Sequence, residues 1–224
     1  MAPFGKIYSY PGNFRVQRAQ VVANINGLEV EVPADFAMES TKTPEFLAKF
    51  PMGKIPAFEG AGGFCIAEGA AIAMYLAGSG PKAQQLMGSV QDIQKRARIS
   101  EWICFAETEL NPQVLPAFVM CVLKYMPFNE ASYNNANNNL ERALKRVDQA
   151  TDGGKKQFLV GEELTMADIM VSGPLFFGQG FLIDQKMRDA APGAIKYLDN
   201  LAAMPEFKNV FGEIKKCETR VAAP

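Results

Sequence analysis

The spacing of hydrophobic positions changes part-way along the chain. Over residues 1–80 short apolar runs alternate with short helical patterns, whereas beyond residue 90 apolar positions recur every three or four residues over long stretches. Short apolar runs are typical of strands, and the longer recurrence is typical of helices that bury one face. The pattern predicts an α/β domain at 1–80, a linker at 81–90 and an all-α domain at 91–224.

The first domain begins with a predicted β-α-β unit. A strand is predicted over 5–10, a helix over 14–26 and a second strand over 28–32, with turn residues between them. A short helix is predicted over 43–50, since it opens with a threonine cap and a proline. With the elements that follow, the order is β-α-β-α-β-β-α, which is the thioredoxin-like arrangement.

Two short apolar runs, 55–58 and 64–67, are separated by a glycine-rich turn and predict a β-hairpin. Small and apolar residues with helical spacing follow it, so Glu68 and Gly69 fall where a helix begins. The free N–H groups and the positive dipole end of a helix favour an anionic group at that place.

Pro56 lies directly before the strand residues of this hairpin. A proline there is best accommodated by a tight bend, of which a cis peptide is one form, and the bend leaves the backbone of Ile55 unpaired. An unpaired Ile55 backbone can pair with an extended peptide, and Lys54 adds a cation beside it. The stretch therefore suits a small zwitterionic peptide.

The run from Gly53 to Phe58, followed by Glu68-Gly69-Ala70-Ala71-Ile72, resembles the glutathione-binding half of glutathione transferases. The run from Ile7 to Asn13 is similar to the start of one subgroup, the amino-terminal domain of the elongation factor 1B gamma subunit. The resemblance implies a thioredoxin-like domain followed by an all-α domain, glutathione as the cofactor, and a homodimer.

The resemblance also implies roles for individual residues. In the family the bend proline is cis, the residue before it pairs with the cysteinyl backbone of glutathione, and a preceding Lys or Gln holds the glycyl carboxylate. An acid-plus-serine pair at the helix start holds the γ-glutamyl end. The expected glutathione-binding residues are therefore Lys54, Ile55, Glu68 and Gly69, of which Gly69 departs from the family because serine is usual there.

The chain contains no histidine, which excludes Ser-His-Asp and Cys-His nucleophile systems and disfavours a zinc site, so no metal is expected. Bound glutathione would itself supply the nucleophile, and the start of the first helix would favour its thiolate. A hydroxyl in this loop performs that role in the family, but different alignments place it at Ser9 or Pro11. Tyr10 and Asn13 are hypothesised to be catalytic; the alternative is that Tyr8 and Tyr10 pack or cap the strand.

In the second domain, one apolar helical face passes through Trp102 and Phe105, with Glu109 close by. These three residues are hypothesised to line a pocket for an apolar co-substrate, and the alternative is that the aromatic rings belong to the core. Thr165 and Asp168 have the spacing of a helix capping box, which is similar to one in the helical domain of the family and has a structural role. The tail at 220–224 is predicted to be loose.

Composition limits the partners and the compartment. With 23 Lys and Arg against 24 Asp and Glu, and no basic run, nucleic-acid binding is not expected. No 18-residue apolar run is present, so no membrane span is expected. The chain enters a strand-like run at once, so no signal peptide is expected. Four scattered cysteines favour free thiols in a reducing compartment, and the cytoplasm is the expected location.

Three functions follow. The preferred one is an enzyme in which glutathione adds to a small, largely apolar electrophile, or adds and leaves again so that a double bond isomerises. Some fungal transferases of the resembled type act in secondary metabolism. The second is a noncatalytic interaction module like the gamma-subunit domain, which Gly69 favours. The third is a noncatalytic binder of apolar ligands.

Overall fold

The computed structural model describes residues 3–222. Its first part contains four short strands and three helices. The strands are β1 (Gly5–Tyr8), β2 (Val30–Glu31), β3 (Ala57–Gly60) and β4 (Cys65–Ala67). The helices are α1 (Phe14–Ile25), α2 (Pro44–Lys49) and α3 (Gly69–Gly78), with a 3-10 turn at Met38–Lys42.

The strands form one mixed sheet in the order β2-β1-β3-β4. Strand β1 runs parallel to β2 and antiparallel to β3, and β3 forms the predicted hairpin with β4. The predicted thioredoxin-like fold is thus confirmed. Two strands differ from the prediction. Strand β2 has two residues, which is shorter than the predicted 28–32, and β3 begins at Ala57 and not at Ile55, because Pro56 has no N–H to give to a ladder.

The two faces of the sheet bury different clusters. Ile7 and Phe58 are opposite each other in the ladder, are fully buried, and belong to the main core with residues of α1 and α3. The neighbouring residue Tyr8 packs in a second cluster with Phe46 and Phe50, which come from α2 and its end. This alternation follows from the two-residue period of a strand.

The second part is helical, as predicted. Its helices are α4 (Ala83–Met87), α5 (Ile93–Phe105), α6 (Asn111–Ala117), α7 (Glu130–Ala150), α8 (Met166–Gln179), α9 (Gln185–Asp189), α10 (Pro192–Ala203) and α11 (Pro205–Phe211). Between residues 3 and 222, none of the helices combines the length and apolarity that crossing a bilayer requires. The predicted linker contains α4, and the domain bounds 1–80, 81–90 and 91–224 stay a prediction.

Helix α5 continues into α6 through a wide π turn at Ala106–Leu110, and a second π turn at Phe118–Val122 follows α6. In the first turn the N–H of Asn111 donates to the carbonyl of Ala106, five residues back. The prolines of this segment therefore do not end the helical path, and the wide turn changes the direction in which its side chains point. Such turns are common at functional sites.

Helix α8 begins with the predicted capping box. The Thr165 hydroxyl accepts a hydrogen bond from the Ala167 N–H at 3.3 Å, and Asp168 Oδ2 accepts one from the Thr165 N–H at 2.9 Å. The other carboxylate oxygen of Asp168 accepts from the Leu159 N–H at 2.8 Å and from the Tyr197 hydroxyl at 2.9 Å. One buried carboxylate thus ties α8 to the preceding loop and to α10.

The end of the chain is more ordered than predicted. Arg220 Nε donates to the Asp184 carboxylate at 2.7 Å, and the Val221 N–H donates to the Phe181 carbonyl at 2.7 Å. The prediction of a loose tail is therefore wrong for these two residues, because the buried Asp184 carboxylate and the Phe181 carbonyl hold them by hydrogen bonds. Residues 223 and 224 lie outside the described part.

Candidate functional site

A cavity with a volume of about 460 Å³ opens beside the start of α3, and all four predicted glutathione-binding residues line it. Lys54 and Ile55 come from the bend before β3, whereas Glu68 and Gly69 come from the junction between β4 and α3. The antiparallel hairpin brings the two pairs together, since Ala57 lies opposite Ala67 in the ladder.

The backbone of Ile55 is unpaired. The Ile55–Pro56 peptide is cis, and the ladder with β1 begins only at Ala57. Within residues 3–222, neither the N–H nor the carbonyl of Ile55 forms a hydrogen bond. An extended peptide that enters the cavity can therefore pair with Ile55 as an additional strand would.

The start of α3 offers N–H groups and a carboxylate. Glu68 has φ 69°, a left-handed conformation for a residue with a side chain, and such conformations cost about 1–3 kcal/mol and cluster at ligand-binding sites. No side chain caps α3, and in the part of the chain described here the exposed Glu68 carboxylate makes no hydrogen bond or ion pair. The first N–H groups of α3 and the Glu68 carboxylate are thus available to a ligand.

Lys49 was not predicted from the sequence, yet it lines the cavity. Its ammonium lies 2.6 Å from one oxygen of Glu59, and the Tyr8 hydroxyl donates to the other oxygen at 2.8 Å. The hydrogen bond from Lys49, aided by the one from Tyr8, lowers the pKa of Glu59. Burial and the bond to Glu59 raise the pKa of Tyr8 to about 12. The Tyr8 hydroxyl therefore donates to Glu59, which agrees with the alternative that Tyr8 packs on the strand and is not catalytic.

Glu107 also lines the cavity, from the π turn between α5 and α6. Its carboxylate lies 2.8 Å from the guanidinium of Arg18, which is fully buried and also donates to the Met170 carbonyl at 3.2 Å. Asn111 donates to the second oxygen of Glu107 at 2.7 Å. Burial lowers the pKa of Arg18, and the Glu107 carboxylate acts in the opposite direction. The helical part therefore contributes Glu107 to the cavity, and the buried Arg18 of α1 pairs with it.

Two family models match the chain. The one described as Glutathione S-transferase, N-terminal domain, matches residues 3–78, and the one described as Glutathione S-transferase, C-terminal domain, matches residues 110–205. The chain belongs to the glutathione S-transferase family. The family resemblance inferred from residues 53–72 is thus confirmed.

Two relatives are similar to this chain over nearly its whole length. The glutathione S-transferase-like protein LUC7 of Fusarium sp. is 41% identical over 212 residues, which are 95% of this chain and 94% of that protein. Elongation factor 1-gamma of Artemia salina is 36% identical over 215 residues, which are 96% of this chain but 48% of that protein.

Two solved structures show the same fold. The GST-like domain of elongation factor 1-gamma from Saccharomyces cerevisiae superposes with a TM-score of 0.83 at 22% identity, over 100% of both chains. The glutathione transferase URE2P6 from Phanerochaete chrysosporium, solved with oxidized glutathione, superposes with a TM-score of 0.80 at 21% identity, over 94% of this chain and 96% of that chain.

In this transferase-family chain, Tyr10 and Asn13 do not line the cavity of Lys54 and Glu68. They line a different hollow of about 180 Å³, together with residues of α1 and of the segment that follows β2. Asn13 is buried and caps α1, since its side-chain oxygen accepts from the Arg15 N–H at 3.1 Å, and its amide donates to the Ser9 hydroxyl at 3.0 Å. Tyr10 is 45% exposed. Their catalytic role stays a prediction.

Trp102, Phe105 and Glu109 do not line the cavity of Lys54 and Glu68 either. Trp102 is buried in the core, with the Phe105 ring 5.1 Å away edge-on and the Arg146 guanidinium 4.6 Å above its ring. Glu109 is exposed. The second-substrate pocket around these three residues stays a prediction.

Proposed function

We propose that the chain binds glutathione in the cavity that contains Lys54, Ile55 and Glu68. The observation that supports this most strongly is that an unpaired strand backbone, an unpaired ammonium and an unpaired carboxylate line one cavity within the described residues. Glutathione is an extended peptide with two carboxylates and one ammonium. Ile55 pairs with its cysteinyl backbone, Lys54 binds its glycyl carboxylate with Lys49 nearby, and Glu68 binds its γ-glutamyl ammonium.

The proposed reaction is an attack by the glutathione thiolate on an electrophilic carbon of a small, largely apolar compound. The thiol proton passes to solvent, a carbon–sulfur bond forms, and either a leaving group departs or the carbon next to the attacked one takes a proton. If the addition is to an activated double bond, rotation and loss of glutathione isomerise that bond. The dipole of α1 favours the thiolate, with Tyr10 and Asn13 as the proposed donors.

The apolar substrate is proposed to lie near Trp102, Phe105 and Glu109, on the helical side of the site. The similarity to a transferase-like protein from Fusarium supports an enzyme, and we include a role in fungal secondary metabolism in the proposal. A cytoplasmic location belongs to it as well, supported by the four cysteines, which are all free thiols.

Calorimetric titration with reduced glutathione tests the proposal. Lys54→Ala and Glu68→Gln are each expected to weaken binding about tenfold, which corresponds to about 1.4 kcal/mol. Lys156→Ala and Glu162→Gln are matched controls, because both residues are exposed, lie outside the cavity, and make no side-chain hydrogen bond in residues 3–222. Saturable binding that only the first two changes weaken supports the enzyme; no binding at millimolar glutathione overturns it.

A second candidate is a noncatalytic interaction module. Two observations favour it: the 36% identity to an elongation factor 1-gamma, and the glycine at position 69 where the family pattern has serine. It predicts that the purified chain shows no conjugation of electrophiles at millimolar glutathione. Turnover that Glu68→Gln reduces would overturn the module.

Both candidates include a homodimer. Large apolar side chains are exposed on the thioredoxin-like part, among them Met52 at 71% and Phe64 at 49% exposure. Burying them against the helical part of a second copy would remove these groups from water. Light scattering is expected to give twice the mass of one chain, and Met52→Asp is expected to lower it. A monomer at every concentration would overturn this part of the proposal.

A further inference from the structure

Gly69 is the first residue of α3, and its backbone does not require glycine. Glycine is favoured where φ is positive, and the positive-φ glycines of residues 3–222 do not include Gly69. Within a helix glycine is the least favoured residue after proline, because it loses the most backbone entropy. The reason for glycine must therefore lie in what surrounds this position.

The neighbour that excludes a larger residue is Arg15. A Cβ atom added at Gly69 would lie 3.1 Å from Arg15 Cβ and 3.4 Å from Arg15 Cδ, with Pro56 Cγ also at 3.4 Å. These distances are shorter than most contacts of a Cβ atom, so a side chain at position 69 would require the Arg15 side chain to shift by a few tenths of an ångström. The arginine stem thus lies directly against the position of the Cβ atom that a serine at position 69 would add.

The charge of Arg15 is not used within the described protein. Its side chain is half-buried and lines the cavity, and among residues 3–222 it has no ion pair and no hydrogen-bond acceptor. The guanidinium lies 5.0 Å from the centre of the Phe14 ring. The next arginine, Arg18, is already matched by Glu107 at 2.8 Å. Arg15 is therefore a cation between the starts of α1 and α3, which themselves favour an anion.

We propose that Arg15 binds the α-carboxylate at the γ-glutamyl end of glutathione, and that Gly69 provides the room for it. This inference rests on the proposed function. A guanidinium forms two parallel hydrogen bonds to a carboxylate, which a single hydroxyl does not. Glu68 takes the ammonium of the same α-amino acid head, and the N–H groups of α3 take the second side of its carboxylate. The pair Arg15 and Gly69 makes this end specific for a free α-amino acid head.

Calorimetry with two ligands tests the inference. Arg15→Ala is expected to weaken glutathione binding about tenfold or more, whereas binding of cysteinylglycine, which lacks the γ-glutamyl head, is expected to change less than twofold. Arg15→Lys keeps the charge and is expected to recover part of the loss. Arg142→Ala is the matched control, because that arginine is exposed and lies on α7 away from the cavity.

The steric part is tested by a cycle of two substitutions. Gly69→Ser alone is expected to weaken glutathione binding, because it displaces Arg15, while Arg15→Ala with Gly69→Ser is expected to bind more tightly than Arg15→Ala alone. Thermal melting identifies any variant that does not fold, and Arg15→Lys then replaces Arg15→Ala in the comparison.

The outcomes separate the two proposals. If the unchanged protein does not bind glutathione, the proposed function fails and the inference fails with it. If it binds, and Arg15→Ala and Arg15→Lys both bind equally well, only the inference is overturned. Equal weakening for glutathione and cysteinylglycine would also overturn it, since the contact would then not be to the γ-glutamyl head. If the double variant with Arg15→Ala and Gly69→Ser binds glutathione more weakly than Arg15→Ala alone, the proposed role of Gly69 is overturned.

Discussion

The guanidinium of Arg18 lies 2.8 Å from the carboxylate of Glu107, and this pair joins α1 to the π turn between α5 and α6. Helix α8 closes the pair from a third side, since the Met170 carbonyl accepts from Arg18, and a Cβ at Gly173 would lie only 2.6 Å from Arg18 Cδ. The thioredoxin-like and helical parts therefore meet around one buried cation. Its charge depends on Glu107 for neutralisation.

Glu107→Gln is expected to lower the free energy of unfolding by about 2 kcal/mol, because removing one member of a buried ion pair leaves the other uncompensated. The value lies below the roughly 3–5 kcal/mol that is typical of breaking a fully buried ion pair, since the Glu107 side chain is 31% exposed. Urea denaturation measures the change. Glu109→Gln is the control, because Glu109 is exposed in the same turn. Equal stability of the two variants would contradict the prediction.

Four groups donate hydrogen bonds to the Asp168 carboxylate. Asp168→Asn is expected to destabilise the protein by about 3 kcal/mol, because the amide NH₂ that replaces one oxygen cannot accept these hydrogen bonds. Tyr197→Phe removes one of these donors and is expected to cost about 1 kcal/mol. Urea denaturation measures both changes, and Asp35→Asn is the control, because Asp35 is exposed. If Tyr197→Phe lowered the free energy of unfolding as much as Asp168→Asn, the prediction that the Asp168 carboxylate joins several donors would be contradicted.

The parts of the fold and site that the sequence predicts are local in the chain. The hairpin, the bend at Pro56 and the helix start at Glu68 lie within fifteen residues, so turn chemistry and hydrophobic period place them together. The capping box likewise depends on the short spacing of Thr165 and Asp168. In these segments a local pattern determines the three-dimensional arrangement.

The residues that the sequence does not predict meet only through packing. Arg15 and Glu107 reach the cavity because α1 packs near the π turn, and no spacing along the chain indicates that contact. Lys49 is held at the cavity by Glu59 on the neighbouring strand. Arg146 of α7 covers the ring of Trp102 from a distant part of the chain, so the sequence leaves a pocket and a core position equally open for Trp102.

Substitutions of Asn13 separate its structural role from its proposed catalytic one. Asn13→Asp keeps an oxygen that caps α1 but loses the amide that donates to Ser9, so it is expected to cost less than Asn13→Ala, which loses both bonds and is expected to cost about 1 kcal/mol. If Asn13 also donates to the glutathione thiolate, both changes lower turnover and raise the thiol pKa, which ultraviolet absorbance of the bound thiolate measures. Full turnover by Asn13→Asp would leave only the capping role.

The hydrogen bond from Tyr8 to Glu59 predicts a decline of stability at high pH. The pKa of Tyr8 is about 12 in the folded protein, against 10.0 for an unperturbed tyrosine. Between these two values the unfolded chain has lost the Tyr8 proton while the folded protein retains it, so the free energy of unfolding falls as pH rises. Below the lower value both states are protonated, and the contribution of Tyr8 is complete.

Tyr8→Phe is therefore expected to be less stable than the unchanged protein by about 1 kcal/mol near neutral pH, through loss of this hydrogen bond. The difference is expected to shrink as pH rises above about 10, the pKa of an unfolded tyrosine. Lys49 also titrates at high pH, and its hydrogen bond to Glu59 raises its pKa. Because the unchanged protein and Tyr8→Phe both contain Lys49, the difference between them removes its contribution. Urea denaturation at a series of pH values measures the difference, and a difference that stays constant above pH 10 would show that Tyr8 does not keep its proton through Glu59.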